Sequence, residues 1–213
     1  MRTDDLVTML ATGVGPVRQD AVRRHFAMAI GAGALGATVL MLTLFGVHPD
    51  IAARTLLPMF WGKLVFVAWL AAAGIVALTR VSRPGVPLRW IPAGLAAPVL
   101  GIWLLAAFVL IGAESGQRSE LLFGQTWNTC PLFVTLHSAP VFVAVVWAMK
   151  GLAPTRLRLA GAAAGFASGS VGALAYSLHC PELSAPFLGI WYLLGILIPT
   201  AVGALLGPRL LRW

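Results

Sequence analysis

Six long apolar runs, at roughly 26–45, 60–78, 91–111, 132–149, 159–178 and 187–206, divide this chain, and short polar stretches separate them. A helix needs about 20 predominantly apolar residues to cross the hydrocarbon core of a bilayer, and each run is close to that length. The period-two alternation of a membrane β-barrel is missing from the sequence. The pattern therefore predicts an all-α membrane protein of six transmembrane helices joined by very short connections.

Composition agrees, since 59% of residues are hydrophobic and 10% charged, with a mean hydropathy of +0.89, far from soluble averages. The formal net charge of +8 raises nucleic acid as a partner, but the placement of the 15 Lys and Arg residues points elsewhere. Arg2, Arg18, Arg23 and Arg24 precede the first run, Arg80, Arg83 and Arg89 follow the second, Lys150, Arg156 and Arg158 follow the fourth, and Arg209 and Arg212 follow the last. Only Arg54, Lys63 and Arg118 fall on the alternate side, together with Asp50, Glu114, Glu120 and Glu182. By the positive-inside rule this predicts three hairpins with both termini cytoplasmic. The basic excess is then a topology signal, with the lipid bilayer as its counter-charge and no direct nucleic-acid contact. The expected division is 1–25 as a cytoplasmic N-terminal segment, 26–206 as the transmembrane domain and 207–213 as a short cytoplasmic C-terminus.

Within the first segment, Thr3 is placed to cap a short helix with Asp4 and Asp5 in its first turn, where their charge suits the helix dipole. Leu6, Met9 and Leu10 fall on one face, and Gly13, Gly15 and Pro16 end the helix. The first apolar run exceeds the length of a signal-peptide core and lacks a cleavage site, so it reads as a retained anchor. Lys63, near the outer end of the second run, is expected to snorkel along its stem. Pro98, Pro140 and Pro199 interrupt runs, as bends of shape or as moving segments. Gly161, Gly165 and Gly169, spaced by four and followed by Gly172, predict a face open to close helix approach, within the chain or in a homodimer.

The candidate chemistry lies in two short stretches, Thr129-Cys130-Pro131 and His179-Cys180-Pro181-Glu182. The arginine count puts both cysteines on one side of the membrane, which in a bacterium is the oxidising periplasm. A structural disulfide, a redox or thiophilic-metal switch, and unpaired thiols are the three readings. His179 adjoins Cys180 and joins Cys130 and Cys180 as a candidate ligand of a transient soft metal ion, while His137 lies about two turns, roughly 10 Å, beyond Cys130 along a helix. Lone His48, beside Pro49 and Asp50, reads as a loop residue. No resident cofactor is expected. The sequence has no phosphate-binding loop, zinc-hydrolase motif, nucleophile elbow or CxxC pair, so an enzyme is disfavoured. A small-molecule or metal transporter is the rival class, supported by the proline-interrupted helices and opposed by the lack of an acidic residue within the runs.

The whole chain resembles the NrsF family of bacterial anti-sigma factors. The resemblance rests on Thr3-Asp4-Asp5-Leu6, the six apolar runs, the cysteine before the fourth run, and a C-terminal block. That block comprises Ala173-Leu174-Ala175-Tyr176, His179-Cys180-Pro181-Glu182, Trp191-Tyr192 and Arg209-Leu210-Leu211-Arg212-Trp213. It implies a multi-pass protein of the bacterial inner membrane that sequesters an extracytoplasmic-function sigma factor and releases it under oxidative or heavy-metal stress. Cys130 and Cys180 map onto the sensing pair, with His179, Pro181 and Glu182 in support. Docking of the sigma factor falls to Thr3, Asp4, Asp5, Leu6 and Leu10 with the basic stretch 18–24. His137 has no counterpart in the resemblance.

Overall fold

The computed structural model describes residues 3–12, 21–83, 85–152 and 154–212; Gly13, Gly15, Pro16 and Arg18 lie outside the described residues. Among the described residues the only regular secondary structure is helix, without a strand. In chain order the helices are α1 (Thr3–Ala11), α2 (Ala21–Leu44), α3 (Ile51–Arg54), α4 (Pro58–Val81), α5 (Ile91–Gly112), α6 (Ser115–Phe123), α7 (Cys130–Met149), α8 (Leu157–Tyr176) and α9 (Ala185–Leu210). Helices α2, α4, α5, α7, α8 and α9 are long and apolar enough to cross a membrane. Four of these six carry proline in their first turn, namely Pro58, Pro92, Pro131 and Pro186. The first-turn N–H groups have no helical acceptor and proline presets the helical φ, so each proline fixes where a span begins without costing it a hydrogen bond.

Helix α8 is the axis of the bundle, packed on α2, α4, α7 and α9, and it can be so central because it is thin. A side chain at Gly161 or Gly165 would run into the α9 backbone at Gly203 or Pro199, and one at Gly172 into α7 at His137 and Ser138. Contact is therefore backbone to backbone, the packing that small residues spaced by four permit. Helix α9 of the same chain fills the glycine face, the first of the two alternatives that the spacing left open. Helix α5, by contrast, touches mainly α4 and the start of α9 and leaves Trp103, Leu104, Phe108 and Ile111 exposed.

The connections are longer and more structured than the apolar runs suggest. Between α5 and α7 lies α6, whose sequence SGQRSELLF is too polar to register as an apolar run. It is pinned to the start of α9 by Ser184 Oγ donating to Leu121 O (2.7 Å) and Trp191 Nε1 donating to Leu122 O (2.8 Å). Helix α9 itself opens through a π-helical turn, Leu188–Tyr192, which widens the backbone where Trp103 Nε1 donates to Gly189 O (2.9 Å). The segments 46–57, 113–129 and 177–184 meet at one end of the bundle, tied by His48 N to Leu178 O (3.2 Å) and by contacts of Glu182 described below. At the opposite end Arg23, Arg80, Arg83 and Arg156 line clefts between neighbouring spans.

Candidate thiol site

Cys180 follows the last turn of α8, where Cys180 N and His179 N both donate to Tyr176 O (3.0 Å each) and the chain then leaves the helix. The next residue is proline and cannot donate, so the three carbonyls of Cys180, Pro181 and Glu182 point away without helical partners. Two cations take them. Lys63 Nζ donates to Cys180 O (2.9 Å) and Glu182 O (3.2 Å), and the Arg54 guanidinium donates to Pro181 O. Lys63 is 0% exposed. Its ammonium also lies 5.9 Å from the Tyr192 ring centroid and 6.0 Å from that of Phe60, close enough for cation–π attraction. This corrects the snorkelling expectation. A buried ammonium costs several kcal/mol unless it is solvated, and here the backbone carbonyls of the cysteine turn do the solvating.

Glu182 turns the other way. Its Oε1 accepts from Gln125 N (2.7 Å), Thr126 N (3.2 Å) and Thr126 Oγ1 (3.3 Å). Thr126 O in turn accepts from Cys130 N (2.8 Å). A carboxylate in the 180–184 turn thus holds the segment leading into α7 and sets one cysteine against the other. Gly124 makes room for this contact, since it sits at φ 54°, where glycine is favoured, and a Cβ there would collide with the Glu182 carboxylate.

The two cysteines are buried thiols, Cys130 0% and Cys180 3% exposed. The two thiols neighbour each other in one buried cluster, and the Cys130 thiol, more than the Lys63 ammonium, brings the Cys180 thiol down to about 6 against the opposing effect of burial. The Tyr192 hydroxyl faces Cys180 and Ser177 without a well-formed hydrogen bond.

The histidines turn out to belong to an aromatic cluster. His137 is buried, and its Nδ1–H donates to Phe133 O (2.6 Å); His179 Nδ1–H donates to Gly46 O (3.1 Å). A carbonyl only accepts, so both ring protons sit on Nδ1. Between the two rings stand Phe45, 5.6 Å from His137 and 5.1 Å from His179, and Tyr176, 5.7 and 6.0 Å away. Among the described residues no three of His, Cys, Asp and Glu gather where they could hold a metal ion. His48 Nδ1 accepts from Asp50 N (3.1 Å) in its loop. Partial desolvation, then the nearby Arg54 charge, lowers its pKa below the usual histidine value.

In α1, Thr3, Asp4, Asp5, Leu6 and Leu10 are all exposed. The structure therefore gathers Cys130, Cys180, Pro181 and Glu182 in one site and leaves α1 outside it. Sequence reasoning missed Lys63, Arg54, Gly124 and Thr126. Lys63 did carry one signal, as the only lysine inside an apolar run.

Fold and site together define a helical bundle with six helices long and apolar enough to cross a membrane, a buried thiol pair at one end and a cluster of arginines at the other. Within that class the family is shown by sequence: the model of the family described as "Negative regulator of sigma F" (NrsF) matches residues 10–213, and the chain belongs to that family. Among curated proteins it is 57% identical over 213 residues to a probable anti-sigma-F factor NrsF of Azospira oryzae, covering 100% of both chains. It is 38% identical over 217 residues to the anti-sigma-F factor NrsF of Caulobacter vibrioides, again covering 100% of both. No solved structure matches the chain at a significant level.

Proposed function

We propose that this protein is an inner-membrane anti-sigma factor that holds an extracytoplasmic-function sigma factor at the cytoplasmic face and releases it on oxidative or heavy-metal stress. Family membership and the names of both relatives support negative regulation of a sigma factor. The single observation that carries the sensing step is the juxtaposition of the buried Cys130 and Cys180 thiols, at the end of the bundle opposite Arg23, Arg80, Arg83 and Arg156. In this reading both termini and the arginine-rich end are cytoplasmic, the thiol end is periplasmic, and the three pairs of spans are hairpins.

Docking is assigned to α1, through Thr3, Asp4, Asp5, Leu6 and Leu10, with the basic stretch 18–24. Its apolar side chains Leu6, Met9 and Leu10 are exposed, as a helix awaiting a partner requires. The cleft of about 360 Å³ lined by Arg80, Arg83 and Arg156 supplies a further cationic surface. The signal has to cross about 30 Å of hydrocarbon, and rigid spans with discrete packings are its carriers. Helix α8 ends four residues before Cys180 and packs tightly on α4, α7 and α9, so a changed turn at 180–182 bears on the whole bundle.

The test is co-purification of the solubilised protein with a sigma factor, together with a reporter of that factor's regulon. Wild type should lose the partner and induce the reporter on oxidant treatment, and Cys130→Ser/Cys180→Ser should hold one fixed output. Undiminished induction in the double variant would sink the thiol reading, and vesicle uptake of a solute without a bound sigma factor would favour a transporter.

A further inference from the structure

The two thiols of the pair have unlike surroundings. The Cys180 sulfur stands beside Cys130, the Glu182 backbone N–H and the Lys63 ammonium, whose charge also reaches Cys130 but acts more strongly with Cys180. Lys63 Nζ is fixed in place by Cys180's own carbonyl and that of Glu182, two bonds of 2.9 and 3.2 Å from a side chain with no exposed surface. One feature acts in the opposite direction. Cys130 is the first residue of α7, where the helix dipole favours an anion. That dipole is worth about half a charge at the helix end, against the full charge of Lys63, which is held on Cys180's own carbonyl.

We propose that Lys63 is a positioning residue for the thiol pair, which makes Cys180 the attacking sulfur and Cys130 the resolving one. This inference rests on the redox reading of the pair and adds its direction. The oxidant class that fits is a small hydroperoxide. A cavity of about 420 Å³ lined by Arg54, Glu120, Gly124, Pro181, Glu182 and Ser184 brings solvent to the residues that directly follow Cys180. In the first step the electron pair on Cys180 Sγ attacks the terminal oxygen of the hydroperoxide. The O–O bond breaks, Cys180 becomes a sulfenic acid, and the leaving alkoxide takes up the proton that Cys180 released, departing as alcohol, or as water when the oxidant is hydrogen peroxide. In the second step Cys130 Sγ displaces the sulfenic hydroxyl, which takes the Cys130 proton and departs as water while the S–S bond forms. Two thiols lose two electrons and one peroxide gains two. Lys63 remains an ammonium throughout, holding the turn and favouring the charge that Cys180 carries into the first step.

The experiment uses the full chain, purified in detergent without any sigma factor, hydrogen peroxide as oxidant and dimedone as the trap for sulfenic acid, read by peptide mass spectrometry. Cys130→Ser should be labelled at Cys180 about tenfold faster than Cys180→Ser is labelled at Cys130. Equal labelling, or faster labelling of Cys130, overturns the assignment. In chains with both cysteines, Lys63→Arg should keep the rate of disulfide formation within about twofold. Lys63→Gln, which retains a donor for the carbonyls but no charge, should lower it about tenfold. A Lys63→Gln rate equal to wild type overturns the role of the charge. Circular dichroism and gel filtration show whether the variants fold, and should they fail, the two single-cysteine chains, which keep Lys63, still decide which sulfur attacks. None of these readouts involves sigma-factor release, so a failure of the regulatory reading leaves this result standing and the reverse also holds.

Discussion

The bundle has two buried clusters, and they are made of different materials. One, around Ala160, Ala163, Ala164, Ala167, Val141 and Val145, is mostly alanine and valine and sits where α8 meets α2, α4 and α7. The other contains Cys130, Cys180, Tyr176, Tyr192, Phe187 and Leu188, and Lys63 lies against it. The first cluster is held by steric fit, which tolerates no added volume but takes no notice of charge or oxidation state. The second depends on hydrogen bonds to a non-helical turn, so a change in one sulfur alters the partners of Lys63, Tyr192 and the 180–182 backbone together. Under the proposed sensing role, a bundle that holds its shape while changing state at one end gains from keeping these two kinds of interior apart.

That contrast can be broken at its rigid half first. Gly165→Val places a branched side chain against the backbone of Pro199 and Thr200, with no flexible group to give way. The expected loss is about 4 kcal/mol or more, seen as failure to recover a monodisperse protein from detergent. At the other half, Glu182→Ala removes the acceptor of Gln125 N, Thr126 N and Thr126 Oγ1. A loss of about 2 kcal/mol is expected, measured as thermal unfolding, with the two thiols alkylated faster because the start of α7 is no longer held to the turn. The smallest effect is on reactivity alone. Cys180 in the wild-type pair should gain reactivity toward a small alkylating agent as pH rises through about 6, the value set chiefly by the neighbouring Cys130 thiol. The sign follows from the depressed value: the thiolate form is favoured above about 6 and is lost as pH falls through it. A midpoint near the ordinary thiol value of about 8.5 would show that the neighbouring Cys130 thiol does not lower it.

Much of the rigid half is legible in the sequence. The six spans follow from run length, and the close approach of α8 from Gly161, Gly165 and Gly169, although the pattern does not say whether α9 or a second chain fills the face. That the two cysteines share one end of the bundle follows from counting spans and arginines. The polar half is largely illegible because its bonds are long-range. Glu182 meets residues 56 and 57 positions earlier, and Lys63 reaches carbonyls 117 and 119 positions later. A lysine near the end of a span reads as snorkelling unless the folded turn above it is known. Helix α6 escaped notice because a helix lying across the end of a bundle needs no long apolar run.

The hold that Glu182 exerts on Gln125 and Thr126 has one more consequence. It confines the two sulfurs to each other's neighbourhood before any bond forms between them, and so fixes the effective concentration of one thiol as seen by the other. The ratio of disulfide to dithiol at a given redox poise scales with that concentration, and each tenfold change in it displaces the midpoint potential of a two-electron couple by about 30 mV. On the redox reading proposed above, the set point at which this pair closes is tuned by a carboxylate that belongs to neither cysteine and takes no part in the electron transfer.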